Sequence, residues 1–121
     1  MDLKSVYIAA PFDWRVKARR ARAVLEAKGI TSTSTWIDNH LEEEDVITPE
    51  AKWREAKCDL LDVHRADEFV LLNGPSTSGG LHVELGFALA NGKKIWLVGK
   101  PSTIFHYHPN ITIVENVEEI Q

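Results

Sequence analysis

Short apolar strand-like runs alternate with helix-spaced segments along this chain, and that alternation is the strongest constraint on its fold. Ser5-Val6-Tyr7-Ile8-Ala9-Ala10 is a first strand that ends at Pro11. Ile30 to Ile37, rich in threonine and isoleucine with Trp36 near its end, is a second. Asp67 to Asn73 is a third, with Phe69-Val70-Leu71-Leu72 apolar throughout, Lys94 to Val98 a fourth, and Ile111 to Val114 a candidate fifth. The first helix is expected over Asp13 to Lys28, with Asp13 as N-cap and Gly29 as stop. The second opens at Thr48 and Pro49 and runs to about His64; the third spans Gly80 to Asn91 and closes at Gly92. His40 to Ile47 is an acidic loop.

Continuous apolar strands belong to a sheet covered on both faces, and strand–helix alternation belongs to parallel βαβ units. The expected fold is therefore α/β: a single doubly wound, Rossmann/flavodoxin-like three-layer sandwich with a parallel sheet of about five strands. One domain over residues 1–121 suits the length. Such sheets bind ligands beyond the carboxyl ends of their strands. The segments starting at Pro11, near Asp38 and at Gly74 are the places to look.

Totals narrow the function. The net charge is −4, which leaves no footprint for a nucleic-acid polymer. Arg15, Lys17, Arg19, Arg20 and Arg22 crowd the first helix, but a solvated face accounts for them better. The single cysteine, Cys58, excludes an internal disulfide and fits a reducing, cytoplasmic setting. No run reaches the roughly 18 apolar residues of a membrane span, and the first residues lack a signal-peptide layout.

Several motifs fail on inspection. Gly74 to Gly79 has the spacing of a P-loop start, but Gly80 and Leu81 stand where Lys and Ser or Thr are required. His82-Val83-Glu84 begins like a zinc deaminase signature, which one cysteine cannot complete. His106 and His108 could offer two metal ligands, with no third in view. No metal and no organic cofactor is implied.

Glu84, Asp59 and Tyr7 survive. Leu81, Leu85, Ala88 and Leu89 form the buried stripe of the third helix, with Glu84 on its flank, where the helix's positive end favours the ionised carboxylate. Trp53, Ala56, Leu60 and Val63 form the stripe expected on the second helix; Asp59 then lies at its edge and Asp62 points away. Tyr7 sits on the first strand, where a buried hydroxyl needs a partner. Taken singly, each residue reads equally well as a surface acid or a core tyrosine. Ser76, Thr77 and Ser78 likewise read as plain helix caps, or as part of a cradle that holds a phosphate or sugar hydroxyl together with Gly79 and Gly80. Trp36 and Phe12 can stack on a base or fill the core.

Together, Tyr7-Ile8-Ala9-Ala10-Pro11-Phe12, Asp59 ahead of Ala66-Asp67, Ser78-Gly79-Gly80 ahead of Glu84-Leu85-Gly86-Phe87-Ala88, and Gly92-Lys93-Lys94 resemble the nucleoside 2-deoxyribosyltransferase family. That family includes a branch of 2'-deoxynucleoside 5'-monophosphate N-glycosidases. The resemblance covers roughly Tyr7 to Gly99. It implies that Glu84 is a nucleophile at the anomeric carbon, that Tyr7 orients it, and that Asp59 assists departure of the base, with the sugar then released to water or to a second base. It implies substrate contacts from Pro11, Phe12, Trp36, Ser78, Gly79 and Gly80. Serine rather than aspartate at Ser78 points to a 5'-phosphate. Pro11 and Asp13 stand where the hydrolases carry serine and arginine, with Arg15 as the candidate substitute. The family pattern also implies a homodimer or larger, in which Asn110 or His106 completes a neighbour's site. A competing expectation on the same fold is a non-catalytic nucleotide-binding or sensing module.

Overall fold

The computed structural model describes residues 3–38, 48–75 and 79–121. Five strands, β1 (Ser5–Ala9), β2 (Thr31–Ser32), β3 (Glu68–Leu72), β4 (Lys94–Val98) and β5 (Ile111–Val114), form one all-parallel sheet in the order β2-β1-β3-β4-β5. Among the described residues three α-helices cross between them: α1 (Arg15–Ala27), α2 (Pro49–Arg65) and α3 (Gly80–Ala90). α1 packs with the C-terminal turn at Val117–Glu119, and α2 packs with α3. Right-handed crossovers put α1 on one sheet face and α2 and α3 on the other. The expected doubly wound parallel sandwich is what forms. Its strand order reverses between β1 and β3, which opens a crevice beyond their carboxyl ends.

The core follows from the apolar runs. Val6, Ile8, Val70, Leu71, Ile95 and Leu97 are wholly buried in the sheet, and Leu25 and Ile120 cover it on the α1 side. Punctuation residues act as their chemistry predicts. Gly29 ends α1 at a φ of 82°, and Gly92 follows α3 at 69°, conformations that disfavour any side chain. Thr48 Oγ1 accepts the Ala51 N–H at 3.1 Å, and Pro49 occupies the first turn of α2.

Three expectations need correction. The first helix begins as a 3-10 turn over Phe12–Trp14, and Asp13 makes no cap bond; the Pro11 carbonyl accepts the Trp14 N–H at 2.8 Å instead. The second strand is two residues long, not eight. Side chains take over its ladder: Ser34 Oγ accepts the Ile8 N–H at 2.5 Å, and the chain then turns at Thr35–Ile37. On α2, Trp53 and Ala56 are exposed, and Asp62 is buried rather than pointing away. The expected acidic loop at 40–47 lies outside the described residues.

Candidate active site

Tyr7 and Phe69 are register partners on β1 and β3, and their rings stack at 5.7 Å. Strand alternation sends both side chains to the face covered by α2 and α3. There the Tyr7 hydroxyl donates a hydrogen bond to Glu84 Oε2, on the second turn of α3. Tyr7 is buried to 1% exposure, so the expected core tyrosine and the expected partner of Glu84 are the same residue. Asp59 lies half-buried on α2, and its charge acts on both Tyr7 and Glu84. The three groups therefore form one cluster on the sheet face that α2 and α3 cover.

Burial dominates the electrostatics. It pushes the Glu84 carboxyl up to about 7; the Tyr7 hydrogen bond pulls the other way, and the nearby Asp59 charge adds to the rise. The expected helix-end stabilisation of an ionised Glu84 is thus outweighed by desolvation. Asp59 is also pushed up to about 7, first by burial and then by the charges of Glu55 and Asp62. Tyr7 is raised far above the usual phenol range by burial and by Glu84, so its proton stays in place as a donor. The two carboxyls share a titration range, and of the two Glu84 is the one with a hydroxyl donor among the described residues, a bond that favours its charged form.

Asp62 has a structural task. Its Oδ2 accepts the Thr35 hydroxyl at 2.6 Å and the Thr35 N–H at 3.2 Å, and its Oδ1 pairs with Arg65 Nη2 at 2.5 Å. These bonds tie α2 to the turn after β2. Glu55, Asp59 and Asp62 follow i, i+4, i+7 spacing, which marks one helix face. Reading only apolar residues as inward-facing hid that stripe.

The remaining candidates divide. Trp36 is 9% exposed, and its indole Nε1–H donates to the Ile8 carbonyl at 2.8 Å, so it belongs to the core. Phe12 is 61% exposed beyond β1, with the Arg15 guanidinium 4.8 Å from its ring centroid. Pro11 is buried at the same strand end. Gly79 and Gly80 are exposed at the start of α3, where Gly79 is the N-cap with no side-chain cap bond. Ser78 lies outside the described residues, as do Ser76 and Thr77. Gly74 lies so close to Trp14 that a Cβ there would come within 2.3 Å of the indole.

His106 is wholly buried, and its Nδ1 accepts the Ser102 N–H at 2.9 Å and the Thr103 N–H at 3.4 Å. Its Nε2 is buried without a partner among the described residues, and its ring stacks 6.3 Å from that of His82. Folded this way, His106 cannot extend into a neighbouring subunit; Asn110 is partly exposed. His108 Nδ1 accepts the Asn110 N–H at 3.0 Å, so both imidazoles spend a nitrogen on backbone rather than converging on a metal. Among the described residues no group of three or more His, Cys, Asp or Glu could hold an ion, and no helix is long and apolar enough to cross a membrane. The basic residues of α1 are partly engaged: Lys17 lies 3.8 Å from the Trp14 ring centroid, and Arg22 pairs with Asp38 at 2.6 Å. A cavity of about 280 Å³ opens on the α1 face, lined by Trp14, Leu72, Val98 and Val117, away from the three acid–hydroxyl groups.

No protein-family model matches the chain, and no curated protein matches it. Solved structures do. The chain superimposes on a 2-deoxyribosyltransferase from Bacillus psychrosaccharolyticus with a TM-score of 0.81, over 97% of this chain and 92% of that one, at 23% identity. It superimposes on the CMP N-glycosidase BcmB of Clostridium botulinum with a TM-score of 0.66, over 92% of this chain and 87% of that one, at 26% identity. The chain has the 2-deoxyribosyltransferase fold, and these structural neighbours, both enzymes, are a 2-deoxyribosyltransferase and an N-glycosidase, the two activities that the sequence resemblance joins.

Proposed function

We propose that this protein is an enzyme that cleaves the N-glycosidic bond of a nucleoside or nucleotide through a covalent glycosyl–Glu84 intermediate. The observation that carries the reading is the part-buried Tyr7–Glu84 hydrogen bond, with the Asp59 charge beside it, between β1 and α3. Glu84 Oε attacks the anomeric carbon as the carbon–nitrogen bond breaks. The base leaves with the bonding electron pair and takes a proton from Asp59, directly or after tautomerisation. Tyr7 holds the attacking oxygen in line and keeps Glu84 charged. Water then adds at the same carbon and gives its proton to Asp59, and the Glu84–carbon bond breaks. A second base in place of water makes the reaction a transfer. Two displacements retain the anomeric configuration. A 2'-deoxyribosyl donor suits this route because it lacks the electron-withdrawing 2'-hydroxyl that opposes positive charge on the sugar.

A homo-oligomer remains part of the proposal. Trp53 and Leu61 on α2 and Val83 on α3 are exposed apolar residues on the outer surface of the α2–α3 layer. Sedimentation of the wild type and of Trp53→Glu tests this: a dimer that the variant splits supports it, and a wild-type monomer at micromolar concentration removes it.

The test of the reaction is chromatography after incubation with each deoxynucleoside and each deoxynucleoside 5'-monophosphate, with and without a different free base. Free base released by the wild type and absent with Glu84→Ala is the expected result. Mass spectrometry of acid-quenched protein should show a glycosyl adduct on Glu84. Base release that persists in Glu84→Ala would sink the mechanism.

A further inference from the structure

The segment between β4 and β5, residues 99–108, is held at its base and at its tip by different chemistry. At the base, Asn73, just past β3, donates from Nδ2 to the Lys100 carbonyl at 2.5 Å and to Ser102 Oγ at 3.3 Å. Gly99 allows the close approach: its φ is 118°, and a Cβ there would come within 3.0 Å of the Asn73 carbonyl oxygen. At the tip, the turn at Ile104–Tyr107 closes on His106. The His106 Nδ1 accepts the Ser102 and Thr103 N–H groups, and the Thr103 hydroxyl accepts the His106 N–H in return. Ile104, Phe105 and Tyr107 are exposed, so the buried imidazole is the inward anchor of this turn.

These bonds fix the protonation state of the ring. An imidazole nitrogen that accepts N–H bonds carries no proton, so the neutral ring holds its hydrogen on Nε2. A second proton, on Nδ1, would set N–H against N–H and leave a wholly buried cation. Among the described residues no carboxylate pairs with His106. The ring that faces it from α3 is His82, another base. Burial, and then the charge of His82, hold His106 below the usual imidazole range. Lys100, Tyr107 and His108, on the same segment, are exposed, and none of them is an anion near neutral pH.

We propose that His106 is a proton-operated clasp: protonation of its imidazole breaks the bonds from Ser102 and Thr103 and frees the turn at Ile104–Tyr107 from α3, while Asn73 keeps the base of the segment in place. Proton linkage sets the direction. The freed imidazole titrates at about 6.5 and the clasped one lower, so the clasp is at full strength above about 6.5 and weakens as the pH falls below it. In that range each unit of pH multiplies the open population by about ten. Glu84 and Asp59 act the other way on the whole fold: taking up protons below about 7 stabilises it. Acid therefore loosens the turn while it tightens the core, and the opposite trends separate local opening from unfolding.

Amide hydrogen exchange followed by NMR between about pH 7.5 and pH 4.5 tests this, with each rate corrected for its intrinsic pH dependence. Protection of the Ser102 and Thr103 amides should fall about tenfold per pH unit below about 6.5, while the amides of β4 keep or gain protection. His106→Asn puts a non-titrating oxygen near the place of Nδ1 and should keep both amides protected across the range. His82→Gln removes the repelling charge, so the clasped ring can take up a proton in place and the slope should flatten. Imidazole nitrogen shifts of the wild type should put the proton on Nε2 at the alkaline end. Constant protection of the two amides in the wild type, a proton found on Nδ1 at the alkaline end, or a loss that persists in His106→Asn would each overturn the clasp. If His106→Asn does not fold, the wild-type slope and the nitrogen shifts decide between the same outcomes. None of these readouts uses base release, so the clasp and the N-glycosidase reading stand or fall separately.

Discussion

Tyr7 and Glu84 are 77 residues apart in the chain, and the hydroxyl of the first donates to the carboxylate of the second in a part-buried contact between β1 and α3. The contact gives a proton-holding phenol and a poised carboxylate a single geometry. It also opposes the burial that would otherwise protonate Glu84 more completely.

Tyr7→Phe keeps the stack on Phe69 and removes only this donor. We expect kcat/KM to fall by about 10–100-fold, the scale of one hydrogen bond to a charged group. The acidic limb of the pH–rate profile should move to higher pH, because Glu84 loses the bond that favours its charge. A pH–rate series on the variant measures both effects; an unmoved limb would mean that Tyr7 acts only in packing.

Activity should follow a narrow bell with its maximum near pH 7. Glu84 must be charged and Asp59 protonated, and burial places both near 7. Asp59→Asn should lower kcat by about 100-fold or more and abolish the alkaline limb. An alkaline limb that persists in Asp59→Asn would transfer the acid role to another group.

Stability should decline as pH rises from about 4 to about 7. Unfolded carboxyls titrate at roughly 4, whereas Glu84 and Asp59 titrate near 7 in the folded chain. Between those values the folded state binds more protons than the unfolded state, so raising the pH favours unfolding, and the effect levels off above 7. Glu84→Gln and Asp59→Asn should each flatten the curve and add about 1–2 kcal/mol at pH 8, after allowance for partial solvent screening. Urea unfolding at several pH values reads this, and a curve that rises over the same range would contradict it.

Asp62→Ala should behave in the opposite way to Asp59→Asn. It strips acceptors from Thr35 and the partner from Arg65, and should cost about 2–4 kcal/mol. Denaturant midpoints at one pH separate the two neighbours: one variant is inactive and stable, the other destabilised.

Trp36→Phe tests which of its two expected roles, core or base stacking, Trp36 plays. With its indole bonded to the Ile8 carbonyl, the substitution should cost about 1–2 kcal/mol and leave the relative rates on different bases unchanged. A changed base preference would return Trp36 to the binding surface.

Much of this architecture was legible before any coordinates. Apolar runs and helical spacing depend on local sequence, as do Thr48-Pro49, Gly29 and Gly92 at helix ends, and they led to the α/β sandwich because secondary structure is set largely by periodicity and turn chemistry. The three residues Tyr7, Asp59 and Glu84 could also be picked out, from strand and helix placement and from the resemblance. Only the tertiary structure decided the rest. β2 stops after two residues because Ser34 and Trp36 are called to the backbone of Ile8 on the neighbouring strand, a long-range demand that no local pattern records. Asp62 turns inward because Thr35 and Arg65 satisfy it, and an acid without such partners would have stayed in water. Glu84 and Asp59 owe their raised pKa values to burial by elements distant in sequence. Desolvation is a property of the packed surroundings, and the chain alone does not contain it.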